Sequence, residues 1–273
     1  MISIVTHRSD GALLERCLSC LAQAIEAARR AGVLKSVALA LIDNSEDRDI
    51  ADEVTRLGRL AFADAGVQLH FLHGHPNLGY GIAHNLMLHG TGADYQLVLN
   101  PDVEMASDAL ATAISWLDIH PEVGALAPAV TRADGTPDFL CKRYPAVFDL
   151  LLRGFAPEFV RRWFKTRLDR YDMRDAIDVA GSAPVRVPLM SGCCMLVRRG
   201  AIDTTGGFDP KFFLYFEDFD WSMRLNKVTQ TVYLPAFRVV HHGGGAARKG
   251  WKHIAWFVKS GFRFYRKHGW RWV

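Results

Sequence analysis

The sequence predicts an α/β protein in which a mostly parallel sheet is flanked by helices, and three observations carry that prediction. Short apolar runs alternate with longer amphipathic stretches through the first 130 residues. The short runs are almost continuously apolar, the pattern of strands buried on both faces. Each run ends in polar or turn-forming residues, where open α/β sheets hold their ligands.

The elements follow in order. Ile2-Ser3-Ile4-Val5 reads as a first strand, beginning almost at once. Leu13, Leu14, Cys17, Leu18 and Leu21 fall at helical spacing, so residues 12–31 form a helix. A strand at 37–42, a helix over 50–63, a strand at 67–72, a helix over 82–88 and a strand at 95–99 continue the alternation. Ser107 suits the N-cap of a helix over 109–119, which leads into a strand at 123–128. Between 131 and 184 the pattern turns irregular, with Pro137, Pro145, Pro157, Pro184 and the stretch Arg161-Arg162-Trp163-Phe164-Lys165. This segment reads as an insertion over the site, not as a second domain.

Bulk properties bound the function. At 273 residues, 49% apolar and 23% charged, the chain can bury one sizeable core. No apolar run approaches the roughly 18 residues of a membrane span. The N-terminus carries no basic segment, so no secretory signal is expected. Five cysteines without framework spacing point to a reducing compartment. Cys17 and Cys20 have CxxC spacing but sit in the first helix, where buried thiols are expected. Charge is uneven: all 29 acids lie at or before Asp220, whereas eleven of the 33 Lys and Arg residues follow it.

Three segments carry chemistry. Leu97-Val98-Leu99-Asn100-Pro101-Asp102 delivers a carboxylate from a buried strand end. Asp102 there suits a divalent cation bridging a diphosphate, or equally a cap for the next turn. Glu217, Asp218 and Asp220 follow an aromatic run, and carboxylates bordering apolar surface are costly unless partnered or functional. If Glu217 opens a helix, the helix dipole favours their ionised forms. Val239-Val240-His241-His242 ends a strand in paired imidazoles, one of which can complete a metal site with a carboxylate.

Five ordered blocks resemble the family 2 glycosyltransferases of bacteria, above all the rhamnosyltransferase-like branch that builds surface polysaccharides such as O-antigen. They are Asn77-Leu78-Gly79-Tyr80-Gly81-Ile82-Ala83-His84-Asn85, Leu99-Asn100-Pro101-Asp102, Ser191-Gly192-Cys193-Cys194 with the strand after it, residues 206–220, and His241. The resemblance implies a GT-A fold over residues 1–245, with a Rossmann-like nucleotide-binding half (1–130) and an acceptor-binding half (131–245). It implies Asp218 as the catalytic base of an inverting transfer. It places Asp43 at the nucleobase and Thr6, Asn77, Gly79, Asn85, Asn100 and Asp102 on the donor side. Asp102 and His241 become ligands of a divalent metal, Mg or Mn; Gly192, Glu217 and Trp221 fall on the acceptor side. Two departures stand out: Asn100 replaces the first acid of the family's DxD-type motif, and His7-Arg8 stands where Tyr-Asn is common. The expected donor is a nucleotide-diphosphate sugar, best deoxythymidine-diphosphate L-rhamnose (dTDP-L-rhamnose), and the expected acceptor a saccharide hydroxyl, lipid-linked.

Residues 246–273 read as a basic aromatic helix. On it Trp251, Ile254, Val258, Phe262 and Tyr265 share a face beside Lys252, Lys259, Arg263 and Arg266. That pattern suits an interfacial helix on an anionic leaflet, with residues 248–273 holding the enzyme on the cytoplasmic face of the plasma membrane. It suits equally a helix packed on the domain with a solvated basic edge. Nucleic acid is not an expected partner, because it explains none of the upstream carboxylates. A sugar nucleotidyltransferase would share the layout, but Thr6-His7-Arg8-Ser9-Asp10-Gly11 is a poor version of its glycine-rich loop. A catalytically silent binding subunit leaves Asp102, Asp218 and His241 together without a purpose.

Overall fold

A computed structural model describes residues 1–179, 181–243 and 250–273. The expected boundary at 245/246 and the first basic residues of the tail, Arg248 and Lys249, lie outside the described residues.

The alternating half folds as β1 (Ile2–Thr6), α1 (Gly11–Arg30), β2 (Ala38–Asp43), α2 (Arg48–Ala61), β3 (Gln68–Leu72), α3 (Tyr80–Leu88) and β4 (Tyr95–Leu99). Asp10 caps α1 by accepting from the Ala12 and Leu13 N–H groups, and Asp47 caps α2 in the same way. A short β5 (Val103–Met105), α4 (Ala109–Asp118) and β6 (Val123–Thr131) follow. The cap position of α4 is Asp108, without a side-chain cap bond, and not Ser107. Asp108 is drawn instead to the Arg238 guanidinium at 2.8 Å.

After β7 (Pro137–Asp138), the segment expected to be irregular forms three helices: α5 (Val147–Phe155), α6 (Glu158–Trp163) and α7 (Lys165–Tyr171). Its prolines sit between or ahead of helices, Pro157 standing at the N-cap position of α6, so they punctuate helices without abolishing them. The chain closes with β8 (Val185–Arg186), β9 (Cys194–Arg198), α8 (Arg199–Thr205), α9 (Glu217–Leu225), β10 (Gln230–His241) and α10 (Trp251–His268).

One sheet joins the strands in the order β3-β2-β1-β4-β9-β6-β10-β5, with β7 on β6 and β8 on β10. The β3-β2-β1-β4 side is parallel throughout. β9 enters antiparallel between β4 and β6, and β5 lies antiparallel on β10, so the sheet as a whole is mixed. Apolar runs of this kind do not encode strand direction. The largest core lies between the sheet and α1, α2 and α4; a second, built on Phe208 and Trp221, fills the opposite face. The strand directions bring the carboxyl ends of β1, β2, β4 and β10 to one edge of the sheet.

Candidate active site

At the ends of β1 and β2, Thr6 and Ser45 satisfy both oxygens of Asp43. Thr6 Oγ1 donates to Asp43 Oδ1 at 3.0 Å, and Ser45 donates to Asp43 Oδ2 through its hydroxyl and its backbone N–H. Asn44 Nδ2 reaches the Gly79 carbonyl at 3.0 Å, tying β2 to the turn before α3. In that turn Asn77 Oδ1 accepts from the Gly79 N–H at 2.9 Å. Gly79 has φ +83°, and a Cβ there would collide with the Phe213 carbonyl oxygen, so only glycine fits. Phe213 O in turn accepts from the Tyr80 N–H at 3.0 Å, which anchors this turn to the loop before α9.

The Tyr80 hydroxyl donates to the Gly192 carbonyl at 2.6 Å and lies 3.0 Å from Asn100 Oδ1. Asn100 N donates to the Cys193 carbonyl at 2.8 Å, so the loop after β4 and the loop before β9 run side by side. Asp102 follows on the same loop. The antiparallel register of β5 and β10 sets His241 opposite Val103, and His241 Nε2 comes within 3.5 Å of Asp102 Oδ1. A Cβ at Gly243 would lie 2.5 Å from Asp102 Oδ2 and 2.6 Å from His241 Nε2, so the absent side chain leaves a cradle in front of both groups. His241 Nδ1 is buried without a hydrogen-bond partner. His242 belongs elsewhere: its Nε2 lies 2.6 Å from Glu104 Oε1, beside the Arg16 guanidinium.

A carboxylate, an imidazole and a cradle fit a hard divalent cation. Among the described residues no third acid, histidine or cysteine joins them. The remaining positions are left to phosphate oxygens and water, as Mg²⁺ sites at phosphates are commonly arranged.

Asp218 reaches the cleft from the other side. Its Oδ2 accepts from the Gly192 N–H at 3.0 Å and its Oδ1 from its neighbour Phe219 N–H at 2.8 Å. The Gly192-Cys193 segment links the two sides, since the Gly192 N–H binds Asp218 and the Cys193 carbonyl binds Asn100, two residues before Asp102. Burial pushes the Asp218 carboxyl above its ordinary value, against the pull of those two N–H groups. Burial, with the Asp218 charge beside it, pushes Glu217 well above the usual carboxylate range. Glu217 Oε2 has no hydrogen-bond partner, so the protonated form is the one its surroundings favour.

The backbone that delivers this pair is strained. Tyr215 and Phe216 both have left-handed φ values, +68° and +65°, which bulky residues rarely adopt. α10 holds them there. Ser260 Oγ donates to the Leu214 carbonyl at 2.8 Å, the Tyr215 hydroxyl meets His253 Nδ1 at 2.9 Å, and Phe216 packs against Phe264. One turn into α9, the buried Asp220 receives Arg224, Lys267 and His268 within 2.8 Å.

Two expected site residues serve the framework. Asn85 closes a pair of hydrogen bonds with the Phe208 backbone, at 2.7 and 3.0 Å, and so joins α3 to the loop before α9. Trp221 is 0% exposed, packs on Phe208 and donates its Nε1–H to Thr205 Oγ1. Helical period explains the latter: Glu217, Trp221 and Leu225 share the inward face of α9, and Asp218 falls beside it. Tyr80, Gly243 and the α10 buttress were not singled out from the sequence. Tyr80 lies inside a quoted block, whereas the buttress has no local signal.

Comparisons with known proteins bear on the fold and the relatives of the chain. No protein-family model matches the chain. A Mycobacterium tuberculosis protein named N-acetylglucosaminyl-diphospho-decaprenol L-rhamnosyltransferase is 29% identical over 283 residues, spanning 96% of this chain and 83% of the relative. Rhamnosyltransferase WbbL of Escherichia coli K12 is 28% identical over 63% of this chain and 61% of its own. Among solved structures, GalNAc-T7 with UDP, GalNAc and Mn²⁺ superposes over 97% of this chain with a TM-score of 0.66 at 16% identity. The mannosyltransferase PcManGT of Pyrobaculum calidifontis, solved with GDP-Man and Mn²⁺, superposes over 94% with a TM-score of 0.56, also at 16% identity. The chain spans 47% and 59% of those two solved chains. Fold and relatives together define an enzyme of the GT-A glycosyltransferase class. Within that class the chain is similar to two curated relatives that both carry the name rhamnosyltransferase, over 96% and 63% of its length.

Proposed function

We propose that the protein moves L-rhamnose from dTDP-L-rhamnose to a hydroxyl of a lipid-linked saccharide, with inversion at the anomeric carbon. The observation that carries the reading is the convergence of Asp102 and His241, 3.5 Å apart across a Cβ-free cradle, with Asp218 in the first turn of α9 bound to the loop before β9. The sugar and the lipid-linked acceptor rest on the names of the relatives.

In this reading Asp43, held by Thr6 and Ser45, takes the nucleobase end of the donor, and Asn77 and Gly79 shape the turn beside it. Asp218 accepts the proton of the acceptor hydroxyl while that oxygen attacks the anomeric carbon and the bond to the departing diphosphate breaks. Its raised proton affinity suits a base that must take a proton near neutral pH. Glu217 and Gly192 border the acceptor oxygen. Asp102 and His241 would hold a divalent cation, Mg²⁺ or Mn²⁺, which supplies charge neutralisation at the leaving diphosphate. Tyr80 fixes the Gly192 and Asn100 loops and thereby the distance between the two ends of the reaction. We place the enzyme at the cytoplasmic face of the membrane that holds the acceptor, docked through residues 248–273.

A thermal-shift screen of nucleotide-diphosphate sugars with and without Mn²⁺ tests the donor side, because ligand binding raises apparent stability by mass action. dTDP-L-rhamnose should give the largest Mn²⁺-dependent shift. No shift with any nucleotide sugar would remove the transferase reading.

A further inference from the structure

Each exposed phenylalanine and tryptophan among the described residues lies in one of two segments far apart in sequence. Phe155, Phe159 and Trp163 project from α5 and α6, Trp163 at 79% exposure. Trp251, Phe257, Phe262, Trp270 and Trp272 lie on α10 and the chain end after it. Concentrated aromatic exposure on an otherwise ordinary surface marks an interaction site.

The two segments meet. The Val147 and Phe148 N–H groups at the start of α5 donate to the Arg271 and Trp272 carbonyls at 2.8 and 3.2 Å. Leu151, also exposed, lies one turn further along α5.

α10 packs through its C-terminal half and leaves a long apolar stripe exposed. Ser260, Gly261, Phe264 and Tyr265 are buried against the domain. Trp251, Ile254, Val258 and Phe262 recur at i, i+3, i+7 and i+11 as a solvent-facing apolar stripe, and Lys252, Lys259 and Arg266 form a cationic edge beside it. The helix has thus met its packing requirement without using its apolar stripe. The insertion adds Arg153, Arg161 and Lys165, all exposed. No helix among the described residues is long and apolar enough to cross a membrane.

We infer that α5 and α6 together with α10 and the chain end form one two-part surface that lies on an anionic lipid bilayer. This deepens the membrane-facing part of the proposed function by adding the insertion as a second contact. Aromatic rings at the headgroup level with cations beside them are the chemistry of an interfacial contact. The Asp220 clasp to Lys267 and His268 ties this surface to α9, the helix that carries Asp218.

Flotation of the full-length protein with vesicles tests the surface. Wild type should float with vesicles containing phosphatidylglycerol at low salt and stay behind with pure phosphatidylcholine. The triple variant F155S/F159S/W163S, which leaves α10 untouched, should lower the bound fraction about ten-fold without changing the melting temperature. The double variant W251S/F262S should do the same. An insertion variant that floats as well as wild type overturns the two-part surface. Wild type that remains in solution with anionic vesicles also overturns it. Sedimentation showing a dimer that the triple variant dissociates, without flotation, would make the surface a contact between copies and overturn it too. Nucleotide-sugar binding measured in parallel separates these outcomes from a failure of the transferase reading.

Discussion

Around β1 and β2 the buried carboxylate is fully met: Thr6 bonds one oxygen of Asp43 and Ser45 the other. Around α9 the arrangement is the reverse. Glu217 is buried with an unpaired oxygen, Asp218 is held by a loop more than twenty residues away, and the preceding turn is left-handed at two aromatic residues. A binding surface can rest in its relaxed state, because its task is to be ready. A base must be kept from its most comfortable state, and here distant packing from α10 and the loop before β9 keeps it there. Substitutions should therefore act mildly around Asp43, and around α9 through the packing that holds its first turn.

The strongest way to break that contrast is Asp218→Asn. Transfer should fall on the order of 10²–10⁴-fold while donor binding is unchanged. A variant retaining more than about a tenth of wild-type turnover would show that Asp218 is not the base.

The role of α10 as a buttress is sharpened by Phe264→Ala. Phe264 is 0% exposed and packs on Phe216, so its loss should cost about 3–5 kcal/mol in a denaturant titration. Turnover should drop in the surviving folded fraction as the Tyr215-Phe216 turn relaxes, with donor affinity intact. Equal losses in both would deny the buttress a special tie to the base. On the other side of the cleft, Asp102→Ala should weaken Mn²⁺-dependent donor binding on the order of 100-fold by calorimetry, and leave metal-free binding alone.

The two regions also differ in how far the sequence reveals them. β1 through β4 follow from local period, since each strand and helix is written within a dozen residues. The Asp102–His241 contact depends on β10 lying antiparallel to β5, a pairing of segments over 130 residues apart. No local pattern contains it; the resemblance of ordered blocks supplied it. Trp221 was legible in principle, as helical period from Glu217 points it inward. Asn85 was not, because its partner is the backbone of Phe208, and backbone partners leave no mark in sequence. The tail presented a choice between packing and an exposed apolar face. The helix does both: Tyr265, expected on the apolar face, is buried with Phe264, whereas Trp251, Ile254, Val258 and Phe262 stay exposed.

Acid titration should separate the two kinds of carboxylate in α9, with opposite signs. Burial pushes Asp220 up, but hydrogen bonds from His268 and Lys267 and the charge of Arg224 outweigh it and hold the group at about 2, against an ordinary 3.8. A depressed carboxyl contributes stability above its unfolded value and loses it as pH falls through the folded one. Asp220 should therefore contribute about 2 kcal/mol at neutral pH, lost between about pH 4 and pH 2. Asp218 is raised, so protonation relieves its burial and acid removes activity without removing its share of stability. On lowering pH, turnover should consequently fail first, with a midpoint above that of an ordinary aspartate, while the fold persists. Unfolding measured in urea across pH should then show the Asp220 loss at lower pH, and Asp220→Asn should flatten it. Coincident loss of activity and fold would mean that the clasp and the base titrate as one unit, and that α9 does not hold its two acids in opposite environments.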